Sequence, residues 1–225
     1  LAEPPVITAI ELSGNVERIA RQHFANESQG FFDRANNEVI IEDARTYMAA
    51  STDQFDLIVA DLFRPHGVGE GRLFTLEHFK NVRRALTDDG LFCQWLPIYQ
   101  LNRENFNMIA ATFLEVFPET LVVYGNLDQR NPVLGLMARK NGQPWEPSKI
   151  ADHLKKIPGT FIQEDPLLKS ARNLFVGVLR NDAFVETHLN TLDNLKIEIA
   201  AGNFWILKDL RKNRPLDTSD MEFLS

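Results

Sequence analysis

Three acidic residues stand at the ends of predicted strands, where a carboxylate can bind a ligand or accept a proton. Glu11 closes the first apolar run, Asp43 directly follows the run VIIE, and Asp61 closes the run FDLIVAD. In an open parallel sheet, ligands bind in the crevice beyond the carboxyl ends of the strands. There an early Glu can accept hydrogen bonds from two ribose hydroxyls, and the next Asp can accept one from an exocyclic amine such as adenine N6. The three positions together predict a nucleoside site.

The same acids have a structural alternative, because Asp at a strand end often caps the helix that follows it. For one acid alone capping is the commoner role, and it is the repetition over successive strand–helix units that favours a ligand site. Asp61 is followed three residues later by the cation Arg64 and then by the stretch HGVGEGR. No helix opens directly from these glycines, so we expect a gate loop rather than a phosphate cradle.

The elements that must position these acids alternate along the chain. Short apolar runs are separated by segments whose apolar residues recur at helical spacing, which predicts an α/β fold with a mostly parallel, Rossmann-like sheet and helices on both faces. The predicted strands are Val6–Glu11, Val39–Glu42, Phe55–Asp61, Gly90–Leu96, Thr120–Tyr124 and Leu134–Arg139, and the predicted helices are Val16–Phe24, Ala44–Ala50, Leu76–Leu86, Phe106–Phe117 and Lys149–Ile157.

The pattern changes near residue 140. Asn141–Ser148 is a turn-rich linker, and the remainder has weaker periodicity and more helix-forming residues. We therefore predict a Rossmann-type domain over residues 1–140 and a helical C-terminal extension over residues 141–225, packed on the sheet.

Composition restricts the class of protein. The chain has 225 residues, of which 44% are hydrophobic, and a formal net charge of −7. A dense Lys/Arg block is lacking, which argues against nucleic acid as a partner. The single cysteine, Cys93, cannot build an internal disulfide framework and fits a reducing compartment, so we expect a cytoplasmic location. No apolar run approaches the roughly 18 residues that cross a bilayer.

Several motifs, in order, resemble the spermidine synthase-like family of polyamine aminopropyltransferases, within the superfamily of S-adenosylmethionine-dependent methyltransferases. They are AIELSGNVERIARQHF, EVIIEDARTYM, FDLIVADLFRP, RLFTLEHFKNVRRALTDDGLFCQW and TFLEVFP. The later segment LNTLDNLKIEIAA, Leu189–Ala201, is similar to the tail of bacterial members. In those members the domain is often fused to a membrane-embedded part, so the resemblance leaves open an upstream membrane segment, and also a homodimer.

The resemblance implies roles for individual residues. Glu11 matches the acid that binds the ribose, and Asp43 with Ala44 matches the pair that reads adenine. Asp61 matches the acid that accepts a proton from the attacking amine. The loop Arg64–Phe74 matches the gate over the active site. On the acceptor side Gln94 matches a glutamine of the family, and we add Tyr99 as a candidate contact.

The implied reaction moves an alkyl group, aminopropyl or methyl, from S-adenosylmethionine or its decarboxylated form to a small acceptor. Because the leaving thioether is already good, the enzyme must mainly align the nucleophile and keep it unprotonated. An alkyl ammonium with a pKa near 10 is almost fully protonated at neutral pH, so a carboxylate base such as Asp61 has a clear task.

Arg64 departs from the family pattern. Polyamine-forming members carry D-x-x-D-P, whose second Asp anchors the acceptor amine, whereas this chain reads Asp61-Leu62-Phe63-Arg64-Pro65. If Arg64 points inward it disfavours a diamine such as putrescine and could bind a carboxylate of an acidic acceptor or of the donor. If it points outward it pairs with Glu70 and contributes little. Both alternatives stay open at the level of sequence.

The glycine-rich loop of the superfamily is the second departure, since it and the strand before it would lie upstream of Val6. We expect either a fragment of a longer protein or a truncated homologue with an incomplete donor site. The missing strand would lie between Val6–Glu11 and Phe55–Asp61, and unpaired backbone groups there would be costly. We expect either that another segment, for example one from a partner chain, fills the gap, or that the two strands pair directly.

Other chemistry has little support. The five histidines show no metal-ligand spacing, so we expect no metal site, and His66 in the loop is the one histidine near the predicted site. Trp95, Tyr99 and Phe74 could form an aromatic wall, although core packing suits Trp95 and Phe74 better. Three functions remain: the transferase, a non-catalytic binding or assembly module, and a methyltransferase for a small anionic substrate.

Overall fold

The computed structural model describes residues 5–65, 67–126, 128, 130–156, 175–179 and 187–197. The chain divides into two compact units, residues 1–52 and residues 53–225. Each unit contains a sheet of its own, with two strands in the first and five in the second. The predicted α/β fold class, with Rossmann-like parallel strand–helix units, is confirmed.

The first unit consists of two parallel strand–helix repeats. β1 and β2 pair in parallel with Glu11 opposite Ile41, so both strands end at the same edge. Among the described residues of this unit, Met48 is the one hydrophobic residue that is buried. Its elements are β1 (Thr8–Glu11), α1 (Gly14–His23), β2 (Glu38–Ile41) and α2 (Ala44–Ala50).

The second unit is built on a sheet with the order β3-β4-β6-β5-β7. β3 and β4 are parallel, whereas the three remaining pairings are antiparallel. Ala60, the last residue of β3, lies opposite Gln94. The strands are β3 (Phe55–Ala60), β4 (Leu86–Pro97), β5 (Thr120–Tyr124), β6 (Val133–Arg139) and β7 (Phe175–Leu179).

Helices pack on this sheet through aromatic side chains. Phe92 of β4 is stacked on Phe113 with ring centroids 5.5 Å apart, and Phe79 meets Phe113 edge-on at 5.2 Å. Burial of such rings is the largest apolar contribution that single side chains can make. The helices that carry these rings are α3 (Leu76–Ala85) and α4 (Arg103–Val116), and α5 (Pro147–Leu154) follows later in the chain.

The structure corrects the sequence-based elements in the C-terminal part. Residues 141–225 were predicted to be helical, and α5 is helical, but Phe175–Leu179 forms β7. This run, FVGVL, is apolar and contains two valines, and it pairs with the outer edge of β5, whose backbone groups it satisfies. The division at residue 140 stays a prediction, as does packing of the remaining extension, which lies largely outside the described residues.

The strands that flank the expected gap belong to different sheets. In the described residues, β1 pairs with β2 alone and β3 pairs with β4 alone. Direct pairing of these two strands is not seen among the described residues, where each strand pairs within its own sheet. That another segment fills the gap stays a prediction.

Candidate active site

Glu11 lies at the carboxyl end of β1. Its Oε1 accepts a hydrogen bond from the backbone N–H of Ser13 at 2.8 Å, which fixes the carboxylate at the strand end. Within the described residues, Oε2 has no hydrogen bond or ion pair. One oxygen of Glu11 thus stabilises the turn into α1, and the other remains available for hydroxyl donors.

Asp43 performs the capping role that the sequence left as the alternative. Its Oδ1 accepts from the backbone N–H groups of Arg45 at 2.8 Å and Thr46 at 3.4 Å, at the start of α2. Both oxygens also face the Arg45 guanidinium, with Oδ2 at 2.8 Å. The side-chain hydrogen bond from Arg45 is the main reason that the pKa of Asp43 lies below its usual value. Asp43 is therefore an ionised, well-occupied N-cap.

Asp61 follows β3 in the second unit and is exposed. Its Oδ1 accepts a hydrogen bond from the backbone N–H of Leu62 at 2.7 Å, and its backbone carbonyl accepts one from the backbone N–H of Phe63 at 3.0 Å. No described residue bonds to Oδ2. The strand end therefore holds the carboxylate in place through one oxygen and leaves the second open, which is the state a proton acceptor requires.

Gln94 lies beside Asp61 and is fully buried, with 0% of the residue exposed. Its Nε2 donates to the backbone carbonyl of Trp95 at 3.0 Å and to that of Asp61 at 3.4 Å. Its Oε1 is buried and has no hydrogen-bond partner among the described residues. A buried acceptor without a donor costs on the order of 1–3 kcal/mol. Gln94 thus contacts the backbone of the predicted base and carries a buried acceptor without a described partner.

A second orphaned acceptor follows Gln94 along the chain. β4 leads into the 3-10 helix Ile98–Gln100, where Tyr99 is half-buried. In this helix the buried Oε1 of Gln100 has no partner among the residues that the structure describes. The sequence analysis selected Tyr99 and missed Gln100, because nothing in its type or spacing shows that its amide oxygen is buried.

The side chain of Arg64 points outward and pairs with Glu70, which was one of the two alternatives that the sequence left open. Its guanidinium donates to Oε1 of Glu70 from Nε at 3.2 Å and from Nη2 at 3.0 Å. The Arg64 side chain is 66% exposed, and its backbone N–H also donates to Oε2 of Glu70. The cation is therefore paired within its own loop.

The predicted aromatic wall separates into different roles. Phe74 is fully buried in the core, as expected. Trp95 is half-buried and packs over Gly125 and Gly135, where a Cβ at either position would come within 3 Å of the indole ring. Tyr99 is the remaining candidate for ligand contact, and His66 lies outside the described residues.

The described residues contain no cluster of His, Cys, Asp or Glu that could hold a metal ion. In the same part of the chain, none of the helices is sufficiently long and apolar to span a bilayer. A cleft of about 410 Å³ between α4 and the segment at 187–188 is lined by none of the predicted site residues. The candidate site therefore consists of the residues at the strand ends.

The structure thus brings the site residues together in two groups. Glu11 and Asp43 lie at the carboxyl ends of neighbouring parallel strands in the first unit. Asp61 and Gln94 lie together at the corresponding ends of β3 and β4 in the second unit, followed along the chain by Arg64 and Tyr99. That both groups belong to one ligand site, and the role of each residue in it, stay predictions.

Parallel strand–helix units with acids at their strand ends define a Rossmann-like α/β protein. The family model for the spermine/spermidine synthase domain matches residues 4–127, more than half of the chain. The chain belongs to this family, as its motifs predicted.

Individual relatives agree with this assignment. The polyamine aminopropyltransferase of Erwinia tasmaniensis is 36% identical over 86 residues, which cover 38% of this chain and 30% of the relative. That of Pectobacterium carotovorum is 33% identical over the same length. The chain thus matches less than a third of the length of these curated relatives.

Solved structures show the same fold. A spermidine synthase in complex with the transition-state analogue AdoDATO superimposes with a TM-score of 0.54 and 26% identity, over 64% of this chain and 50% of that one. The spermidine synthase of Thermotoga maritima gives a TM-score of 0.50 at 24% identity, over 64% of this chain and 49% of its own.

Proposed function

We propose that the protein transfers an alkyl group from a nucleoside sulfonium, S-adenosylmethionine or its decarboxylated form, to a small amine. One observation carries the proposal: a carboxylate oxygen of Asp61 has no partner among the described residues, and Gln94, whose Nε2 contacts the Asp61 backbone carbonyl, has a buried acceptor that also lacks one. Both groups accept hydrogen bonds, so together they suit a ligand that donates them, as an amine does. Family membership and a structural relative crystallised with AdoDATO support the sulfonium donor.

The proposed step is a direct displacement. The amine nitrogen forms a bond to the carbon attached to the sulfonium, the carbon–sulfur bond breaks, and its electron pair goes to sulfur to give a neutral thioether. A proton leaves the nitrogen for the open Oδ2 of Asp61. General base catalysis of this kind contributes about 10²- to 10⁴-fold, and alignment of the two reactants supplies much of the remainder.

Donor binding is assigned mainly to Glu11. Its Oε2 is open for the hydroxyls of a ribose, whereas both oxygens of Asp43 are engaged by Arg45 at the start of α2. We therefore expect replacement of Glu11 to weaken donor binding more than replacement of Asp43. Asp43 and Ala44 retain the position that the family uses for adenine.

The acceptor we propose is an amine without a second cationic group, and thus not putrescine. The position at which polyamine-forming relatives carry a second Asp is Arg64, whose charge is already matched by Glu70. No free carboxylate is left there to hold the far ammonium group of a diamine. For the same reason an anionic acceptor is not favoured, since the guanidinium is committed to its own loop.

The test uses the natural full-length protein. Calorimetric titration with S-adenosylmethionine, its decarboxylated form and 5′-methylthioadenosine measures donor binding, and mass spectrometry detects alkylated products from a panel of monoamines and diamines. Asp61→Asn should lower kcat about 100-fold or more with donor affinity retained. The matched control is Asp56→Asn, at the opposite end of β3, where the acid accepts a hydrogen bond from Thr87.

Two results would count against the proposal. Full activity of Asp61→Asn would remove this residue as the base. Absence of binding of all three nucleosides to the full-length protein would instead favour the non-catalytic binding module. We also propose a cytoplasmic location, supported by a lone cysteine whose thiol is buried and unpaired among the described residues.

A further inference from the structure

Asn190 lies far along the chain from the family domain, yet its side chain contacts the loop that follows Asp61. It is fully buried, with 0% exposed. Its Nδ2 donates to the backbone carbonyls of Gly71 and Phe74, both at 3.1 Å, and its Oδ1 accepts from the backbone N–H of Ile197 at 3.2 Å. The carboxamide of Asn190 thus donates two hydrogen bonds and accepts one.

The backbone of Asn190 is engaged as well. Its N–H donates to the Thr112 hydroxyl of α4 at 2.9 Å, and its carbonyl accepts from the N–H of Leu76, at the start of α3, also at 2.9 Å. Two residues later, the N–H of Leu192 donates to the Glu77 carboxylate at 3.0 Å. The segment around Asn190 is therefore tied to both helices that flank the loop.

The loop carries Arg64 and Glu70. The two carbonyls that Asn190 holds belong to Gly71 and Phe74, in the 3-10 helix Glu70–Phe74. Glu70 begins this helix and binds both the backbone N–H and the guanidinium of Arg64. Asn190 thus holds the 3-10 helix whose first residue, Glu70, binds the residue three positions after Asp61.

We propose that Asn190 is a positioning residue for the proposed transfer reaction, because it fixes the loop Arg64–Phe74 beside Asp61. The inference rests on the proposed function for its catalytic consequence, but not for its structural one. Few side chains fit the place, because it requires two N–H donors and one acceptor on a short stem. An aspartate at position 190 would supply no donors and would set a carboxylate against two carbonyl oxygens.

The test compares Asn190→Asp with the matched control Asn194→Asp. Both exchanges are isosteric and add the same charge to the same segment, but Asn194 is exposed. Amide hydrogen exchange follows the N–H groups of Gly67, Glu70 and Arg72, which are hydrogen-bonded inside the loop. The amides shared by β4 and β6 report global stability in the same sample.

For Asn190→Asp we expect exchange of the loop amides to rise about tenfold or more while the β4 and β6 amides change far less, which is the sign of local opening. Asn194→Asp should leave both sets unchanged. A uniform rise in both sets, or an unchanged loop, would overturn the proposal, because Asn190 would then be a general stabilising residue. If Asn190→Asp does not fold, Thr112→Val removes one anchor of the same segment and should give the same pattern at smaller amplitude.

Activity adds a second readout. In the full-length protein, Asn190→Asp should lower kcat/KM for the amine at least about tenfold while calorimetric binding of 5′-methylthioadenosine persists. Equal losses of donor affinity and of activity would argue against loop positioning. If the wild-type protein transfers nothing, the proposed function fails, while the exchange experiment still decides whether Asn190 holds the loop.

Discussion

The guanidinium of Arg64 lies 3.0 Å from Oε1 of Glu70, and the other oxygen of the same carboxylate accepts the Arg64 backbone N–H at 2.6 Å. This arrangement needs Gly67, because a Cβ at that position would lie within 3 Å of the Glu70 carboxyl carbon. The loop after Asp61 is therefore organised around one acid that accepts from both the side chain and the backbone of one arginine. The cation that distinguishes this chain from polyamine-forming relatives is part of that loop.

The first prediction concerns the energy of this ion pair. Because Arg64 is largely exposed, we expect Arg64→Ala to lower the free energy of unfolding by less than about 1 kcal/mol, as for other surface pairs. Glu70→Gln should cost more, since it also weakens the bond to the Arg64 backbone N–H. Urea unfolding measures both values. A loss above about 2 kcal/mol for Arg64→Ala would show that the pair is worth more than an exposed pair.

A pH dependence should follow from Asp43. The Arg45 hydrogen bond lowers the folded-state pKa of Asp43 below the usual 3.8, so its ionised form stabilises the fold. That contribution is complete above the unfolded-state pKa and is lost as the pH falls through the lowered folded-state value. Asp43→Asn keeps the cap but removes the charge, and should be less stable than wild type at pH 7 by about 0.5–1 kcal/mol.

Urea unfolding between pH 7 and about pH 2.5 tests this dependence. The difference between wild type and Asp43→Asn should shrink as the pH is lowered and close in the acid range. In an Arg45→Gln background, most of the difference at pH 7 should already be absent. A difference that is the same at all pH values would assign the effect to something other than the charge.

Gly135 should be intolerant of a side chain. A Cβ there would lie 2.7 Å from the Trp95 ring and 2.9 Å from Val123. Overpacking of this kind typically costs about 1–3 kcal/mol, so Gly135→Ala should lower the thermal midpoint by several degrees. The control is Gly14→Ala, where the nearest neighbour of the added Cβ is 3.9 Å away. Equal midpoints for the two variants would contradict the packing.

Cys93 should be unreactive in the folded protein. The side chain is 4% exposed, and burial raises the pKa of its thiol to about 12. Alkylating reagents attack the thiolate, so iodoacetamide at about pH 8 should leave the native protein unmodified and label it once urea unfolds it. Mass spectrometry counts the adduct. Rapid labelling without denaturant would mean that β4 opens readily.

Several elements could be predicted from the sequence because local patterns decide them. The structure reproduces α2 at Ala44–Ala50 and β5 at Thr120–Tyr124 with the predicted bounds. β4 was predicted from Gly90 but begins at Leu86, because Phe55 already pairs with Leu86 on the neighbouring strand. That pairing joins residues distant in sequence, which a local pattern does not report.

The candidate site shows the same limit. Its acids at strand ends follow from the apolar runs that precede them, so Glu11, Asp43 and Asp61 could be selected. The orphaned oxygen of Gln94 could not, because burial of one atom depends on the whole fold. The same holds for Asn190, whose bond to Gly71 spans 119 residues.

The contacts of Asn190 also bear on where this protein can be cut and recombined. The match to the family model ends at residue 127, well before the asparagine that holds the loop. A chimera joined at that boundary would carry the acids of the site but would take β6, β7 and the residue that holds the neighbouring loop from the other parent. A crossover placed after residue 197 would transfer the loop together with Asn190 and its hydrogen-bond partners.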